Sequence, residues 1–395
     1  MSFLSFAKKE NEVSLLIDIG NETVSIALVS YKNKTPNFTY YTKAEFPILE
    51  ESSKQRAITG LGTLLDQMLI KTLKLRKEKI DKVVVSFSSP WYTFISKEVH
   101  LAEGKDFFIT KSFLESVLVR EEKLYIKELS EGREGEVKNQ HSVVERSIVH
   151  AKINGYVLNN MLGKKTKSFD AYLYISAIST KIEEKVVDVI SKHTHISRGN
   201  ISLYTSPLVS FHTIRDRFPD DRDFLLMNIT GESTDFSLVK GDVIESNIQF
   251  PLGRSYIIRK IAKSAKVSSE ISESMLHMYL QQKTDEVTTS LIEETLTEIE
   301  EEWAVYFEDV FVSLCKTRDY PIKIFLISDE DVVTIFSNFL KLVKTDSTAL
   351  FRKNMKLCLI DELTIADLYE SSIEVNPSVA LVLLAIFHSR VKSNS

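Results

Sequence analysis

The chain alternates between short apolar runs rich in β-branched residues and longer stretches in which apolar residues return every three or four positions. The first pattern predicts strands and the second helices, because side chains repeat with period 2 on a strand and 3.6 on a helix. Ser14 to Ser30 (SLLIDIGNETVSIALVS) holds two apolar runs joined by a turn around Gly20 and Asn21, which predicts a β-hairpin. A third strand is expected near 38–46. Ile58, Leu61, Leu65, Met68, Leu69 and Leu73 then mark a helix over 55–75, and KVVVSF at 82–87 a buried strand.

The order then changes. A strand at 91–101, a helix at 111–129 and strands at 142–157 and 168–178 make a strand-helix-strand-strand insertion, with the charged 130–140 (SEGREGEVKNQ) expected as a loop. A helix at 181–192, a strand at 200–204 and a helix after Pro207 follow. Residues 223–247 repeat the opening theme as strand, turn at Gly231, strand, turn at Gly241 and strand. From Gly253 to Thr317 the pattern is helical, with Ile292, Leu296, Ile299, Trp303, Tyr306 and Val310 on the expected buried face. A strand at 322–327, a helix at 332–343, a strand at 355–359 and a closing helix at 377–391 complete the chain. The closing helix is expected to pack the second half.

Composition narrows the class. The 395 residues carry a formal net charge of -5 with 43% apolar and 27% charged residues, which predicts two or three folded globular domains and excludes disorder as the main theme. The slight acidic excess and the lack of a basic patch with interleaved aromatics argue against nucleic acid. Cys315 and Cys358 are isolated and suggest neither zinc nor a redox pair. The longest uncharged apolar window, 379–387, is about half of what a spanning helix needs, and Met1 to Lys9 does not read as a signal peptide. Phe3, Leu4 and Phe6 read as a frayed terminus. The expectation is a cytoplasmic protein without direct membrane insertion. Glycine is scarce, 12 in the chain, so few loops let a phosphate approach the backbone.

Two smaller constellations are weighed and set aside. His193 and His195 lack a third nearby ligand for a metal. Ser86, Ser88 and Ser89 lack the glycines of a nucleophile elbow. No metal and no catalytic residue is expected.

Two related α/β halves, each opening on a strand-turn-strand whose first strand runs into Asp18-Ile19-Gly20 or its analogue at Asn228, resemble the actin/Hsp70 ATPase superfamily. The inserted strand-helix-strand-strand module resembles the extra (SHS2) domain of the FtsA/PilM type. The stretches 148–176, 250–262 and 376–387 are similar to the paired strands of that insertion, to the segment after the second phosphate hairpin and to the closing helix. The resemblance implies a two-lobed actin-like ATPase fold with ribonuclease H-like repeats. Its first lobe takes 12–88 and 180–222, the insertion 89–179 and the second lobe 223–391 with a helical subdomain at 253–317.

In that family ATP and magnesium sit between the halves on two glycine-rich turns, so the resemblance places the remnant nucleotide site at Asp18, Gly20, Asn21, Thr23, Asn228, Gly231, Ser233, Thr234 and Asp235. The residues depart from the family pattern. Asn21 replaces a Ser or Thr, Glu22 adds a charge, Asn228 replaces a carboxylate, and Thr230 and Glu232 replace glycines. The strand at 322–327 runs into Ser328-Asp329-Glu330-Asp331 instead of a glycine pair. A carboxylate a few ångströms from a phosphate costs on the order of a few kcal/mol unless a cation offsets it. The expectation is a pseudo-ATPase, with ATP and magnesium bound only if the acidic loops are reorganised.

The chain continues only four residues past the closing helix, where FtsA-like proteins carry a membrane-binding helix, and the helical 253–317 region also looks more like PilM. The resemblance therefore implies a cytoplasmic scaffold that reaches the inner face of the membrane by binding the tail of a PilN-like pilus protein. The partner peptide is expected to add to an exposed strand edge of the insertion. Trp91, Tyr92 and Phe94 are the candidate anchors. Two alternatives stay open: an FtsA-like division scaffold recruiting FtsZ, and a divergent ATP-binding ATPase. Self-association into filaments is compatible with each.

Overall fold

β1 (Val13–Ile19) and β2 (Thr23–Lys32) form the expected opening hairpin, and β3 (Thr35–Glu45) extends it antiparallel. The structure, a computed structural model, describes residues 12–20, 23–45, 54–76, 78–131, 140–157, 161–241, 243–314, 323–328, 330–342, 355–374 and 376–394. Its contacts fall into two units. One comprises Met1–Ser88, Lys181–Arg217 and Ile360–Ser395, and the other Ser89–Thr180 with Phe218–Leu359.

In the first unit β1 also pairs parallel with β4 (Ile80–Phe87), which pairs parallel with β9 (Ile201–Thr205). Leu15, Leu16, Ile17 and Ile19 are all buried, as a central strand covered on both faces requires. Around this sheet stand α1 (Lys54–Leu75), α3 (Thr180–Thr194), α4 (Ser206–Arg217) and a closing helix (Val379–Asn394). The closing helix packs on α4 and on β1, β2 and β3. Phe387 meets Tyr204 and His212 at ring distances of 4.9 and 5.7 Å, and Thr213 Oγ1 donates to Leu383 O at 3.3 Å. This corrects the expectation that the helix belongs to the second lobe. Its run of apolar residues needs an apolar floor, and the first sheet supplies it.

The second unit repeats the plan. β10 (Phe224–Ile229), β11 (Thr234–Lys240) and β12 (Val243–Phe250) are an antiparallel meander, and β10 pairs parallel with β13 (Lys323–Ile327) and β13 with β14 (Lys356–Leu359). The sheet order β12-β11-β10-β13-β14 matches β3-β2-β1-β4-β9 strand for strand, in the same senses. The pseudo-repeat read from the sequence is therefore a repeat of topology.

Helices α5 (Arg254–Ala265), α6 (Ser269–Leu280), α7 (Glu286–Leu314) and α8 (Glu330–Leu342) accompany this sheet. The buried face of α7 is Ile292, Thr295, Ile299, Trp303, Phe307, Val310, Phe311 and Leu314, whereas Tyr306 is exposed. The expected stripe, spaced alternately by four and three, has period 3.5 and drifts around a straight helix of period 3.6, so Phe307 takes the place of Tyr306. Trp303 is fully buried against Phe307, Phe250, Phe336 and Phe339 at ring distances of 5.2 to 6.1 Å.

The insertion falls within this second unit, not in one of its own. It runs β5 (Tyr92–Phe108), α2 (Lys111–Glu131), β6 (His141–Ile153), β7 (Tyr156–Val157) and β8 (Lys165–Ser179), in the antiparallel sheet order β5-β8-β6-β7. Val99, Ile109, Val117, Ala151, Ile153, Phe169, Ala171 and Leu173 form its core, with Phe113 and Leu114 of α2 packed on them. Residues 132–139 of the expected loop, and Phe3, Leu4, Phe6 and Cys315, lie outside the described residues.

Candidate functional site

The first turn of the remnant nucleotide site is built from the end of β1. Gly20 N donates to Thr23 O at 2.9 Å and closes the turn. Asp18 is buried and accepts a hydrogen bond from Ser86 Oγ, its register partner on β4. Asn21 and Glu22 lie outside the described residues. The pairing of Asp18 with Ser86 was not legible in the sequence, because it requires the parallel register of two strands 68 residues apart.

The second turn, from Asn228 to Asp235, is closed on itself. Thr230 N donates to Ser233 O at 2.8 Å, and Ser233 N donates to Thr230 Oγ1 at 3.3 Å. The carbonyls of Thr230 and Gly231 accept from Arg254 N and Ser255 N at 3.0 and 2.7 Å, which fastens the turn to the first residues of α5. Gly253 permits this approach. A Cβ there would lie 2.3 Å from Thr230 O and 2.5 Å from Gly231 O.

Two acids expected to repel a phosphate are neutralised from α5. Arg259 donates Nη1 to Glu232 Oε1 and Nη2 to Glu232 Oε2, each at 2.6 Å. Arg254 donates Nε to Asp331 Oδ2 at 2.8 Å, and its Nη2 bonds Glu273. The charge objection to a phosphate therefore falls at Glu232 and Asp331, because each carboxylate has a guanidinium partner. Asp329 and the side chain of Glu330 lie outside the described residues.

Asp235 is the most altered group. It is fully buried, and burial pushes its carboxyl up to about 7 against hydrogen bonds from Ser233, Tyr92 and Ser89, which act to lower it. Ser233 Oγ also lies 2.9 Å from Ser89 Oγ, Ser89 Oγ lies 2.7 Å from Gln249 Oε1, and Tyr92 OH donates to Asp235 Oδ2 at 3.3 Å. A chain of side-chain bonds thus runs from the second turn into the root of the insertion. Ser89, Gln249, Arg254 and Arg259 are the residues that sequence reading missed. Only the Ser89 neighbourhood carried a signal, the cluster of serines at the end of β4.

This arrangement does not fit a magnesium-phosphate cradle in the second half. Two backbone donors of the turn are spent on the turn itself, Asn228 is a neutral amide, and Asp235 is buried within an internal network. Of the candidate anchors of the insertion, Tyr92 bonds Asp235, and Phe94 lies 4.6 Å from the Tyr174 ring and 6.2 Å from that of Tyr92. Trp91, Tyr92 and Phe94 are all half-buried.

Among the described residues no group of three or more His, Cys, Asp or Glu is placed to hold a metal ion. His193 Nε2 instead contacts Asp66 Oδ1 at 2.8 Å, and His195 is exposed at the left-handed end of α3. A cavity of about 620 Å³ lies between α6, α7 and α8, lined by Tyr279, Glu293, Leu296, Ile335 and Phe339 among others.

No family model and no curated protein matches the sequence. Among solved structures the chain is similar to the PilM-PilN type IV pilus biogenesis complex, with a TM-score of 0.61 at 14% identity over 95% of this chain and 98% of that one. It is also similar to the ethanolamine utilization protein EutJ from Carboxydothermus hydrogenoformans, with a TM-score of 0.48 at 11% identity over 96% and 91% of the two chains. A Bacteroides thetaiotaomicron protein with actin-like ATPase fold and unknown function gives 0.46 at 10% over 98% and 99%. The likeness is one of fold. The chain has the two-lobed actin-like ATPase fold, its ribonuclease H-like sheet repeated in the matching orders described above.

Proposed function

We propose that the chain is a cytoplasmic scaffold of the PilM type, a pseudo-ATPase that holds a short extended segment from the tail of a PilN-like inner-membrane pilus protein. One observation carries the reading. β6 is thirteen residues long, and among the described residues its outer side is paired only at Lys152 and Ile153, by the two-residue β7. Around Arg146 to Ile148 this edge, among the described residues, offers main-chain donors and acceptors to an added strand. The likeness to a pilus complex favours a pilus partner, and the self-closed second turn favours a scaffold over an ATPase. The protein then sits at the inner face of the membrane through its partner.

The test is fluorescence anisotropy of the purified chain with a labelled tail peptide of a PilN-like protein. Arg146 and Ser147 are consecutive on β6, so one directs its N–H toward β8 and the other toward the open edge. Proline at the outward one is expected to abolish capture without lowering the thermal midpoint. Capture unchanged in both proline variants removes the β6 reading, and co-purification of FtsZ in place of a pilus protein removes the pilus reading. Calorimetric titration with Mg-ATP into the millimolar range is expected to give neither heat nor thermal stabilisation. Saturable binding restores the divergent ATPase.

A further inference from the structure

The end of the insertion farthest from its two chain crossings gathers lysines and large apolar side chains in one place. Phe108 ends β5 opposite Lys165 of β8, Ile109 N donates to Lys164 O at 2.9 Å, and Gly163 N donates to Ile109 O at 2.8 Å. The turn after β6 joins the same end. Asn154 N donates to Ser168 O at 3.0 Å, and Asn154 Oδ1 accepts from Thr166 Oγ1 at 2.8 Å. The run of β8 from Ile178 at the root to Lys165 at this tip spans roughly 40 Å.

Three large apolar side chains stand exposed here: Phe108 at 58%, Tyr156 at 75% and Leu162 at 42%. Lys105, Lys111, Lys164, Lys165 and Lys167 are exposed among them. Lys165 is paired with Asp106 at 3.0 Å, and none of the other four has an ion-pair partner among the described residues. On a chain of net charge -5 this is a local reversal of sign. It is not built from side chains that pack the module, whose core ends at Ile109, Ile153 and Phe169.

We propose that this tip is a peripheral docking surface for an anionic phospholipid bilayer. Lysines at a negatively charged headgroup layer each contribute about 1 kcal/mol. Phe108, Tyr156 and Leu162, projecting between them, lose water when they enter the boundary between headgroups and acyl chains. A nucleic acid would use the lysines but leave Leu162 and Phe108 in water, so the mixture of cations and protruding apolar groups fits a membrane surface better. No spanning segment is invoked, and no described helix is long and apolar enough to cross a membrane. The inference does not depend on peptide capture at β6, which is measured without lipid.

The test is sedimentation of the purified full chain with vesicles of phosphatidylcholine alone or mixed with phosphatidylglycerol. Binding is expected to the mixed vesicles only and to weaken with salt. Lys164→Gln with Lys167→Gln is expected to lower partitioning by roughly 30-fold, the equivalent of about 2 kcal/mol. Phe108→Ser with Leu162→Ser is expected to lower it at least roughly tenfold while leaving the lysines in place. Both variants change exposed positions, and thermal midpoints equal to the parent's establish that they fold. Equal binding to neutral vesicles, full binding by either variant, or retention on heparin without any vesicle binding overturns the proposal. The last outcome assigns the tip to a soluble polyanion.

Discussion

Arg259 meets Glu232 through two parallel hydrogen bonds of 2.6 Å each, and the pair fastens the second turn to α5. In sequence Glu232 looks like an obstacle planted where a glycine belongs. In the fold it is one end of a clamp whose other parts are the bonds from Arg254 N and Ser255 N to the turn.

Both partners of this clamp are partly exposed, 32% for Arg259 and 42% for Glu232, so water screens much of the attraction. A double-mutant cycle with Arg259→Ala and Glu232→Ala is expected to give a coupling of about 0.5–1 kcal/mol in urea unfolding. A coupling near zero would mean the clamp is not populated in solution.

Asp235 makes stability depend on pH in a defined direction. Its carboxyl titrates near 3.8 when unfolded and at about 7 when folded, so the folded state holds a proton that the unfolded state has released between those values. Its contribution is complete below pH 4, is lost as pH rises toward 7, and is level above. Asp235→Asn removes this slope and is expected to stabilise the protein at pH 8 by up to about 4 kcal/mol relative to its effect at pH 4. Thermal midpoints of both proteins across that range check it, and parallel curves would refute the assignment.

Gly253→Ala would place a methyl group 2.3 to 2.7 Å from three backbone atoms, Thr230 O, Gly231 O and Ser233 N. None of these is the yielding end of a side chain, so the turn and α5 must separate. A loss of about 2–3 kcal/mol is expected in denaturant unfolding. Gly60, with nothing within 4 Å of an added Cβ, is the control: Gly60→Ala in the middle of α1 is expected to stabilise slightly.

Trp303 closes the core under the second turn, stacked on Phe307 and surrounded by three further phenylalanines. Trp303→Ala is expected to cost about 3–5 kcal/mol. Trp303→Phe keeps most of the ring volume and is expected to cost less than half of that, by the same measurement.

Much of the fold was legible because its signals are local. The hairpin at Gly20, the meander after Asp223, the helix over α1 and the insertion's strand-helix-strand-strand order all follow from periods of apolar residues within short windows. The face of α7 is less legible, since a period of 3.5 and one of 3.6 separate only over several turns, and Phe307 is buried where the pattern predicts Tyr306. The closing helix lies on the first sheet, not the second as its sequence predicts, because a helix apolar on nearly every side does not say which surface will cover it.

The sequence by itself determined the elements, their order, the repeat of one sheet topology and the loss of glycines from the phosphate turns. Only the tertiary structure decided what the replacements do. Glu232 finds Arg259 27 positions away, Arg254 finds Asp331 77 away, and Tyr92 finds Asp235 143 away. A charge or a buried carboxyl has its meaning set by the partner within about 4 Å, and chain spacing does not encode which distant residue the fold brings there. Glu232 and Asp331, which read as repulsion, are thus paired, and Tyr92, which reads as a partner anchor, also bonds Asp235.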